Sequence, residues 1–288
     1  MNIALKANIY HKDIGPQVNR CLDYLLGKGV KVWVAGELKR FIRGRSLPVI
    51  EGPDLPAEIS LIFALGGDGT VLAAARLAGT SEVPIFAVNL GNFGFLTTSS
   101  LEEFTGDFER ILKGDYQVEE RMVLQAEVIA PNGRKVTYTA LNDLVLHKGS
   151  LARPIVIDLK AGEELLGVFP CDGVIVATPT GSTAYSLSAG GPILYPLMDA
   201  IAITPICPHT LAVRPLVIPA AIPISLAEQS SHQDVILTVD GQMSQNIREE
   251  DRIVITKASH VTHLIKPFDG SFFFRLRSKL KWGERERE

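Results

Sequence analysis

Asp68 is a lone carboxylate in a glycine-rich turn. The run Leu65–Thr70 reads Leu-Gly-Gly-Asp-Gly-Thr and directly follows the apolar stretch 61–64. Glycines lack a Cβ atom, so backbone amides in such a turn can approach an anion closely. Strong helix formers follow Thr70, and a helix N-terminus pointing at the turn would favour phosphate. We therefore interpret Asp68 as a base or metal partner acting on a group bound at this turn; the alternative is an Asx-turn or helix cap.

A second cluster of glycines and hydroxyls occupies residues 172–192. Thr178, Thr180 and Ser182 offer uncharged hydrogen-bonding groups that the Gly181 amide would complement, which suits phosphate or ribose oxygens. Tyr185 offers a ring for stacking on a base or nicotinamide, although a core tyrosine is the alternative. The chain contains neither Gly-Lys-Ser/Thr nor G-x-G-x-x-G, which disfavours a Walker-type ATPase and a Rossmann dehydrogenase.

The first third of the chain alternates between strand-like and helix-like segments. Strands are predicted over 2–9, 30–34, 59–65 and 84–89, and helices over 18–27, from Thr70 onward and over 101–112. This rhythm predicts a parallel sheet in an α/β domain. Ligands of such sheets bind beyond the carboxyl ends of the strands, where Asp68 and Asn89 both fall. Phe93 and Phe95, in the loop after Asn89, are interpreted as core residues or as part of the ligand site.

After about Arg121 short β-rich runs dominate, and they predict an all-β domain, a sandwich or layered sheet. The runs are 122–130, 135–142, 155–160, 173–177, 234–240 and 252–257. We expect an α/β domain over 1–121, a β-sandwich domain over 122–265 and a C-terminal tail over 266–288. The amphipathic segment Phe272–Lys281 is expected to dock on the first domain, and residues 284–288 to fray.

Composition narrows the class of protein. The 288 residues are 46% hydrophobic and 21% charged, which is enough for a sizeable core in one large domain or two ordinary ones. A net charge of −3 does not indicate the positively charged surface that is typical of nucleic-acid-binding proteins. The three cysteines are scattered, and no apolar stretch predicts a signal peptide or a spanning helix. We expect a soluble cytoplasmic protein with no nucleic-acid or membrane partner.

Several motifs together resemble one family. They are Leu65–Thr70, Asn89–Leu96, Asn142-Asp143, Asp172-Gly173, Thr178–Ile193, His209–Leu211 and Arg214–Leu216. Their order is similar to that in the NAD kinase family, over about residues 61–242. Gly-Gly-Asp-Gly alone also resembles the nucleotide loops of diacylglycerol kinases, sphingosine kinases and phosphofructokinases, whereas the long 178–192 stretch is far more specific.

The resemblance implies a reaction and an architecture. NAD kinases transfer the γ-phosphoryl group of ATP, or of polyphosphate in some members, to the 2′-hydroxyl of the adenosine ribose of NAD, giving NADP. The implied fold is a Rossmann-like α/β domain followed by a β-sandwich domain, with the active site between them. Asp68 resembles the aspartate of the Gly-Gly-Asp-Gly turn in these enzymes, which is the proposed proton acceptor for the 2′-hydroxyl. Mg²⁺ or another divalent ion would bridge the donor phosphates, and no dedicated protein metal ligand is predicted.

The resemblance also implies binding residues. The expected NAD contacts are Asp68, Gly69, Asn142, Asp143, Arg153, Asp172, Thr183, Ala184, Tyr185, Ser186, Leu187, Ser188 and Gln242. The expected contacts to ATP or its phosphates are Gly66, Gly67, Gly69, Thr70, Asn89, Thr178, Thr180, Gly181 and Ser182. Asn142 suits a bidentate contact with adenine, although Asn142 and Asp143 also suit a plain turn.

Some choices stay open at the level of sequence. Pro170 stands where relatives often have Arg or Gly, so the preference for NAD or NADH is open, with Arg153 as a substitute cation. Sheet edges and the family favour a homo-oligomer, a dimer or tetramer with contacts from a neighbouring subunit. The rival functions are a lipid kinase with the same glycine turn and an NAD(H) sensor without catalysis. The donor, ATP or polyphosphate, is also open.

Overall fold

The computed structural model describes residues 1–42, 44–91, 94–149, 153–210, 212–229, 234–266 and 271–283. The chain divides into two compact units. Unit 1 comprises Met1–Glu120 and Thr262–Glu288, and unit 2 comprises Arg121–Val261. The chain therefore leaves unit 1 once and returns to it near its C-terminal end.

The helices and strands have the following bounds. The helices are α1 (Ile14–Gly27), α2 (Asp68–Ala78), α3 (Phe104–Leu112), α4 (Tyr185–Ser188) and α5 (Phe272–Leu280). The strands up to residue 129 are β1 (Asn2–Ala7), β2 (Lys31–Ala35), β3 (Val49–Ile50), β4 (Leu61–Leu65), β5 (Ile85–Asn89), β6 (Ser99–Ser100) and β7 (Val118–Ile129). The remaining strands are β8 (Lys135–Ala140), β9 (Asp143–Lys148), β10 (Ile155–Ala161), β11 (Glu164–Cys171), β12 (Gly173–Ala177), β13 (Ala200–Ile206), β14 (Leu216–Pro219), β15 (Ile224–Glu228), β16 (Val235–Val239), β17 (Met243–Ile247) and β18 (Arg252–Ile265).

Unit 1 is built on a parallel sheet in the order β3-β2-β1-β4-β5. This is the strand order of the first part of a Rossmann fold. β4 and β5 are buried along their whole length, and Phe63 and Phe86 lie side by side in their register. Val18 and Leu22 of α1 belong to the same hydrophobic core. The predicted α/β domain is therefore confirmed, and ligand binding at its strand ends stays a prediction.

Unit 2 is a β-sandwich. One sheet has the antiparallel order β14-β13-β12-β9-β16-β17, and the other has the order β11-β10-β15-β18-β7-β8. Leu146 and Val176 from the first sheet share one hydrophobic core with Leu124 and Ile157 from the second. Two sheets that bury their inner faces against each other form a sandwich, so the predicted all-β class is confirmed.

Helix starts differ from the sequence predictions. α2 begins at Asp68, two residues before the predicted start, and α1 begins at Ile14 because Pro16 is tolerated in a first helical turn. The predicted helix 101–112 begins at Phe104. The residues before it form a capping box instead of a helical turn. The Glu103 amide donates to Ser100 Oγ, and the Ser100 amide donates to Glu103 Oε2. None of the described helices combines the length and apolarity that a membrane crossing requires.

Candidate active site

Asp68 is the first residue of α2, and its carboxylate contacts the loop that follows β5. Oδ2 accepts a hydrogen bond from the Phe95 amide at 2.9 Å, and Oδ1 accepts one from the Leu96 amide at 3.0 Å. The side chain remains partly exposed. Each carboxylate oxygen has two lone pairs. Asp68 is therefore oriented by the backbone while keeping the capacity to accept a proton or a hydrogen bond from a ligand.

Gly94 makes this contact possible. We call Gly94–Leu96 the carboxylate loop. A Cβ atom added at Gly94 would lie 1.7 Å from Asp68 Oδ1, far inside the van der Waals limit. The Gly94 amide in turn donates to Thr97 Oγ1 at 2.9 Å. Only a residue without a side chain lets the loop close on the carboxylate in this way.

The other predicted phosphate contacts of unit 1 lie at the carboxyl ends of β4 and β5. The Gly66 amide donates to Val88 O at 2.8 Å, and the Thr70 amide donates to Gly67 O at 2.9 Å, so both amides have protein partners. Asn89 is buried, and its Oδ1 accepts the Gly91 amide at 2.7 Å. Gly69 is exposed beside Asp68. The positions agree with the predicted strand ends, and the phosphate contacts themselves stay predictions.

Unit 2 contains a pocket of about 300 Å³. It is lined by Asn142, Asp143, Val145, His147, Ala184, Tyr185, Thr238, Asp240 and Gly241. Four of these, Asn142, Asp143, Ala184 and Tyr185, were predicted from sequence as NAD contacts. Tyr185 is 48% exposed, so its ring is available to a ligand and is not a core side chain.

Asp240 holds the backbone of the Asn142-Asp143 pair. Its Oδ1 accepts the Asn142 amide at 2.7 Å and the Asp143 amide at 3.1 Å, while Oδ2 accepts the Leu141 amide at 3.0 Å. A carboxylate that accepts several backbone amides is a strong local organiser. Gly181 packs against the same segment, because a Cβ there would lie 2.0 Å from Asn142 O. Asn142 and Asp143 are thus fixed at the pocket wall.

Two side chains at this wall have unusual hydrogen-bonding states. Among the described residues, Asn142 Oδ1 is buried without a hydrogen-bond partner, and such an acceptor is costly unless a ligand donates to it. Burial first and the nearby Asp240 charge second raise the pKa of Asp143 to about 7. Near neutral pH Asp143 is therefore partly protonated and able to donate a hydrogen bond.

The buried hydroxyls after β12 hold the turn together. Thr178 Oγ1 donates to Leu141 O at 2.6 Å and accepts the Gly181 amide at 3.0 Å. Ser182 Oγ donates to Pro179 O at 2.6 Å and accepts the Leu194 amide at 3.0 Å. Thr180 Oγ1 accepts a bond from Arg121 at 3.4 Å. These groups have a structural task, and their predicted contact with phosphate stays a prediction.

The other predicted NAD contacts are placed as follows. Thr183 and Leu187 are half-buried, Ser188 is exposed, and Ser186 is buried with its Oγ 3.0 Å from Thr204 Oγ1. Asp172 forms an ion pair with Lys148 at 2.6 Å, and Arg153 and Gln242 are exposed. In the described part of the chain none of these seven lines the pocket. Asn92, Phe93 and Leu211, which belong to the sequence motifs, lie outside the described residues, as do residues 284–288.

Sequence reasoning missed His147, Thr238 and Asp240 as pocket residues. His147 Nε2 lies 2.9 Å from Thr238 Oγ1 across the pair β9–β16. Strand alternation from Asp143 places Val145 and His147 on the same face, and this signal was available in the sequence. Asp240 was assigned only to the end of the predicted strand 234–240. Within the described residues no group of three or more His, Cys, Asp or Glu side chains forms a metal-binding cluster.

Comparisons with known proteins agree with one another. A family model described as the ATP-NAD kinase N-terminal domain matches residues 53–116, and one described as the C-terminal domain matches residues 141–267. The chain is 44% identical over 268 residues to an NAD kinase of Solibacter usitatus, covering 93% of each chain. It is 44% identical over 285 residues to an NAD kinase of Citrifermentans bemidjiense, covering 98% of this chain and 99% of the relative.

Two solved structures are similar in fold. A yeast NADH kinase complexed with NADH superimposes with a TM-score of 0.87 at 28% identity, covering 100% of this chain and 89% of the yeast chain. An NAD kinase from Archaeoglobus fulgidus in complex with ATP gives a TM-score of 0.72 at 25% identity, covering 96% of both chains.

Proposed function

This chain belongs to the NAD kinase family, and from that premise we propose how its residues phosphorylate NAD to NADP with ATP. Asp68 is the proton acceptor. The 2′-oxygen of the adenosine ribose forms a bond to the γ-phosphorus as the bond from that phosphorus to the leaving oxygen of ADP breaks. The 2′-hydroxyl proton passes to Asp68. The observation that carries this assignment is a partly exposed carboxylate whose two oxygens are oriented by backbone amides.

Orientation is the main contribution that this site needs from its base. Phosphoryl transfer passes through a loose transition state, so catalysis depends on positioning and charge stabilisation more than on covalent chemistry. General-base assistance is typically worth about 10²- to 10⁴-fold in rate. The amides of Phe95 and Leu96 restrict the rotation of the Asp68 carboxylate before substrate binds. That pre-ordering removes an entropic cost from the reactive complex.

The pocket of unit 2 is proposed to bind NAD. The buried Asn142 Oδ1 suits the exocyclic amine of adenine, which supplies the donor that this oxygen needs. The exposed ring of Tyr185 suits stacking on a planar base. A protonated Asp143 donates to a ligand oxygen without adding negative charge beside the diphosphate. The predicted contacts of Gly69, Arg153, Asp172 and Gln242 belong to the same proposal.

Mg²⁺ is proposed to accompany the donor. Magnesium is commonly held by substrate phosphates together with one or two carboxylates. The ion is proposed to be carried mainly by the ATP phosphates, because the Asp68 carboxylate, partly exposed beside the proposed phosphate site, is assigned to the proton of the 2′-hydroxyl. When bound, the ion neutralises charge on the transferring phosphoryl group.

The assembly is proposed to be a cytoplasmic homo-oligomer, a dimer or tetramer. Two terminal strands of the unit 2 sheets expose aliphatic side chains, namely Leu165 and Val168 on β11 and Leu216 and Val217 on β14. Exposed apolar strand edges invite pairing with a second copy. Light scattering after gel filtration measures the mass, and a mass equal to one chain at micromolar concentration would contradict this assembly.

An NADP-formation assay tests the function. Purified protein is given NAD or NADH with ATP or polyphosphate, in the presence of Mg²⁺ or of EDTA. We expect NADP from NAD with ATP and Mg²⁺, and a loss of turnover in EDTA. Phosphorylation of diacylglycerol without NADP formation would indicate a lipid kinase, and NAD binding without turnover under every condition would indicate a sensor.

A further inference from the structure

The C-terminal helix α5 contacts the carboxylate loop within unit 1. Arg275 Nη1 donates a hydrogen bond to Phe95 O at 2.6 Å. Lys279 Nζ lies 5.3 Å from the centre of the Phe95 ring, within the range of a cation–π interaction. Residues four apart on a helix lie on one face, so Arg275 and Lys279 hold the backbone and the ring of Phe95 from the same side.

One peptide group connects Arg275 to Asp68. The Phe95 carbonyl and the Leu96 amide belong to the same planar peptide unit. Arg275 donates to the carbonyl end of that unit, and its amide end donates to Asp68 Oδ1 at 3.0 Å. A peptide that accepts a bond at one end is polarised, so the bond that it donates at the other end becomes stronger. The guanidinium therefore fixes the plane of this peptide and strengthens its bond to the carboxylate.

The helix is itself anchored where it carries Arg275. Ser271 caps its N-terminus, with Oγ accepting the Phe274 amide at 3.3 Å. Leu276, next to Arg275, is 4% exposed and fixes the helix on unit 1. The Arg275 side chain is half-buried, whereas Arg277 on the same helix is exposed. The donor thus comes from an ordered element, and the chain offers a matched arginine without this contact.

We propose that Arg275 is a positioning residue for phosphoryl transfer, acting through the Phe95–Leu96 peptide on the Asp68 carboxylate. The inference rests on the proposed role of Asp68 as the base. It assigns a catalytic task to α5, whose residues lie about 200 positions after Asp68 in the chain and were expected from sequence only to dock there. It predicts that loss of Arg275 affects the chemical step and spares NAD binding.

A double-mutant cycle tests the proposal. Arg275→Met keeps an apolar stem and removes the donor, Arg275→Lys restores a cation, and Arg277→Met is the control. We expect Arg275→Met to lower kcat by about 10- to 100-fold, the range that small misplacements of reacting groups produce, with the KM for NAD unchanged. Arg275→Lys should recover part of the loss, and Arg277→Met should behave like the wild type. Thermal unfolding of each variant checks that the variant is folded at the assay temperature.

The same cycle separates the claim about Arg275 from the claim that Asp68 is the base. In an Asp68→Asn background, Arg275→Met should cost less than about twofold in residual turnover, because the residue it acts on has been neutralised. An equal loss in both backgrounds overturns the role of Arg275 and leaves Asp68 as the base. Loss through KM alone, or an equal loss in Arg277→Met, also overturns it. Near-wild-type turnover of Asp68→Asn alone overturns the proposed role of Asp68 as the base, on which this inference rests.

Discussion

Individual carboxylates in this molecule differ in state because their surroundings differ. Asp68 is partly exposed and bonded to two amides. Asp240 accepts three backbone amides. Asp143 is buried beside Asp240, and burial first and the Asp240 charge second raise its pKa to about 7. These environments fit the proposed proton acceptor, the observed backbone organiser and the proposed hydrogen-bond donor, respectively.

Asp143 should make stability depend on pH. Its pKa is about 4 in an unfolded chain and about 7 in the fold. Between these values the fold keeps a proton that the unfolded chain has released, so this contribution is present at low pH and is lost as the pH rises through about 7. Asp143→Asn removes the titration. The unfolding free energy of the variant relative to wild type should therefore rise between about pH 5 and about pH 8.

Denaturant unfolding at each pH measures this difference. Glu249→Gln is the control, because Glu249 is an exposed carboxylate. Its difference from wild type should stay flat over the same range. A flat difference for Asp143→Asn would show that the folded state does not hold the proton.

Gly94 offers a test of the space around Asp68. A Cβ atom added there would overlap the Asp68 carboxylate. Gly94→Ala should lower kcat by about 100-fold through displacement of the base, with NAD affinity preserved. Gly91→Ala is the control, since nothing lies within 4 Å of a Cβ there. Equal kinetics of the two variants would remove the proposed constraint.

Sequence reasoning proposed candidate site residues more readily than the groups that hold them. Asp68 and Tyr185 were predicted from their types and local motifs, and Asn142 and Asp143 from the family resemblance. Asp240 and Arg275 were not, because their partners are remote in sequence: Leu141 and Asp240 are 99 positions apart, and Phe95 and Arg275 are 180 apart. Such pairings depend on the folded backbone and leave no local pattern.

At the scale of elements, the turn after β12 is a compact support for the pocket. A 3-10 turn over Gly181–Thr183 and the four-residue α4 follow β12. Gly190 and Gly191 follow within three residues of α4 and favour termination. The structure of the turn therefore depends on the buried hydroxyls of Thr178 and Ser182, and not on a long helix.

Ser182→Ala distinguishes a structural hydroxyl from a phosphate ligand. Removing it leaves Pro179 O and the Leu194 amide without their partner, which should lower the free energy of unfolding by about 1–3 kcal/mol. Ser188→Ala, at an exposed hydroxyl nearby, should change it by less than about 0.5 kcal/mol. Chemical denaturation measures both. An unchanged stability in Ser182→Ala together with a raised KM for ATP would assign the hydroxyl to phosphate instead.

Strands were predicted well where turn residues bound an apolar run, and several strands that contain or border a proline were missed. β12 was predicted with its observed bounds, and β10 to within one residue. β13, β14 and β15 were missed because Pro205, Pro219 and Pro223 interrupt or border them. A proline fits a strand only where its missing amide is not needed, and the hydrogen-bonding pattern that decides this is not visible in sequence. β9 was not predicted, because the Asn142-Asp143 pair at its start is typical of a turn.

At the scale of the whole molecule, each unit has its own hydrophobic core. The change from α/β to all-β rhythm near Arg121 predicted this division, and the unit boundary lies between Glu120 and Arg121. The return of the chain was harder to predict. β18 is a single strand, Arg252–Ile265, yet its residues from Thr262 onward belong to unit 1. A boundary inside one continuous strand has no signal in composition.

Separate cores should give separable unfolding. Both tryptophans, Trp33 and Trp282, belong to unit 1, so their fluorescence reports on that unit, whereas far-UV circular dichroism reports on both. Leu237→Ala in the core of unit 2 should cost about 2–5 kcal/mol and should shift the dichroism transition more than the fluorescence midpoint. Leu22→Ala in unit 1 should do the reverse. Coincident transitions that move equally in both variants would indicate one cooperative unit.

The role of Asp68 is tested most directly by comparing turnover and NAD affinity in Asp68→Asn. Asparagine keeps the size of the side chain and removes its ability to take a proton. We expect kcat for NADP formation to fall by at least about 100-fold, while the dissociation constant for NAD, measured by titration calorimetry, stays within about threefold. Turnover close to wild type at unchanged affinity would contradict the account.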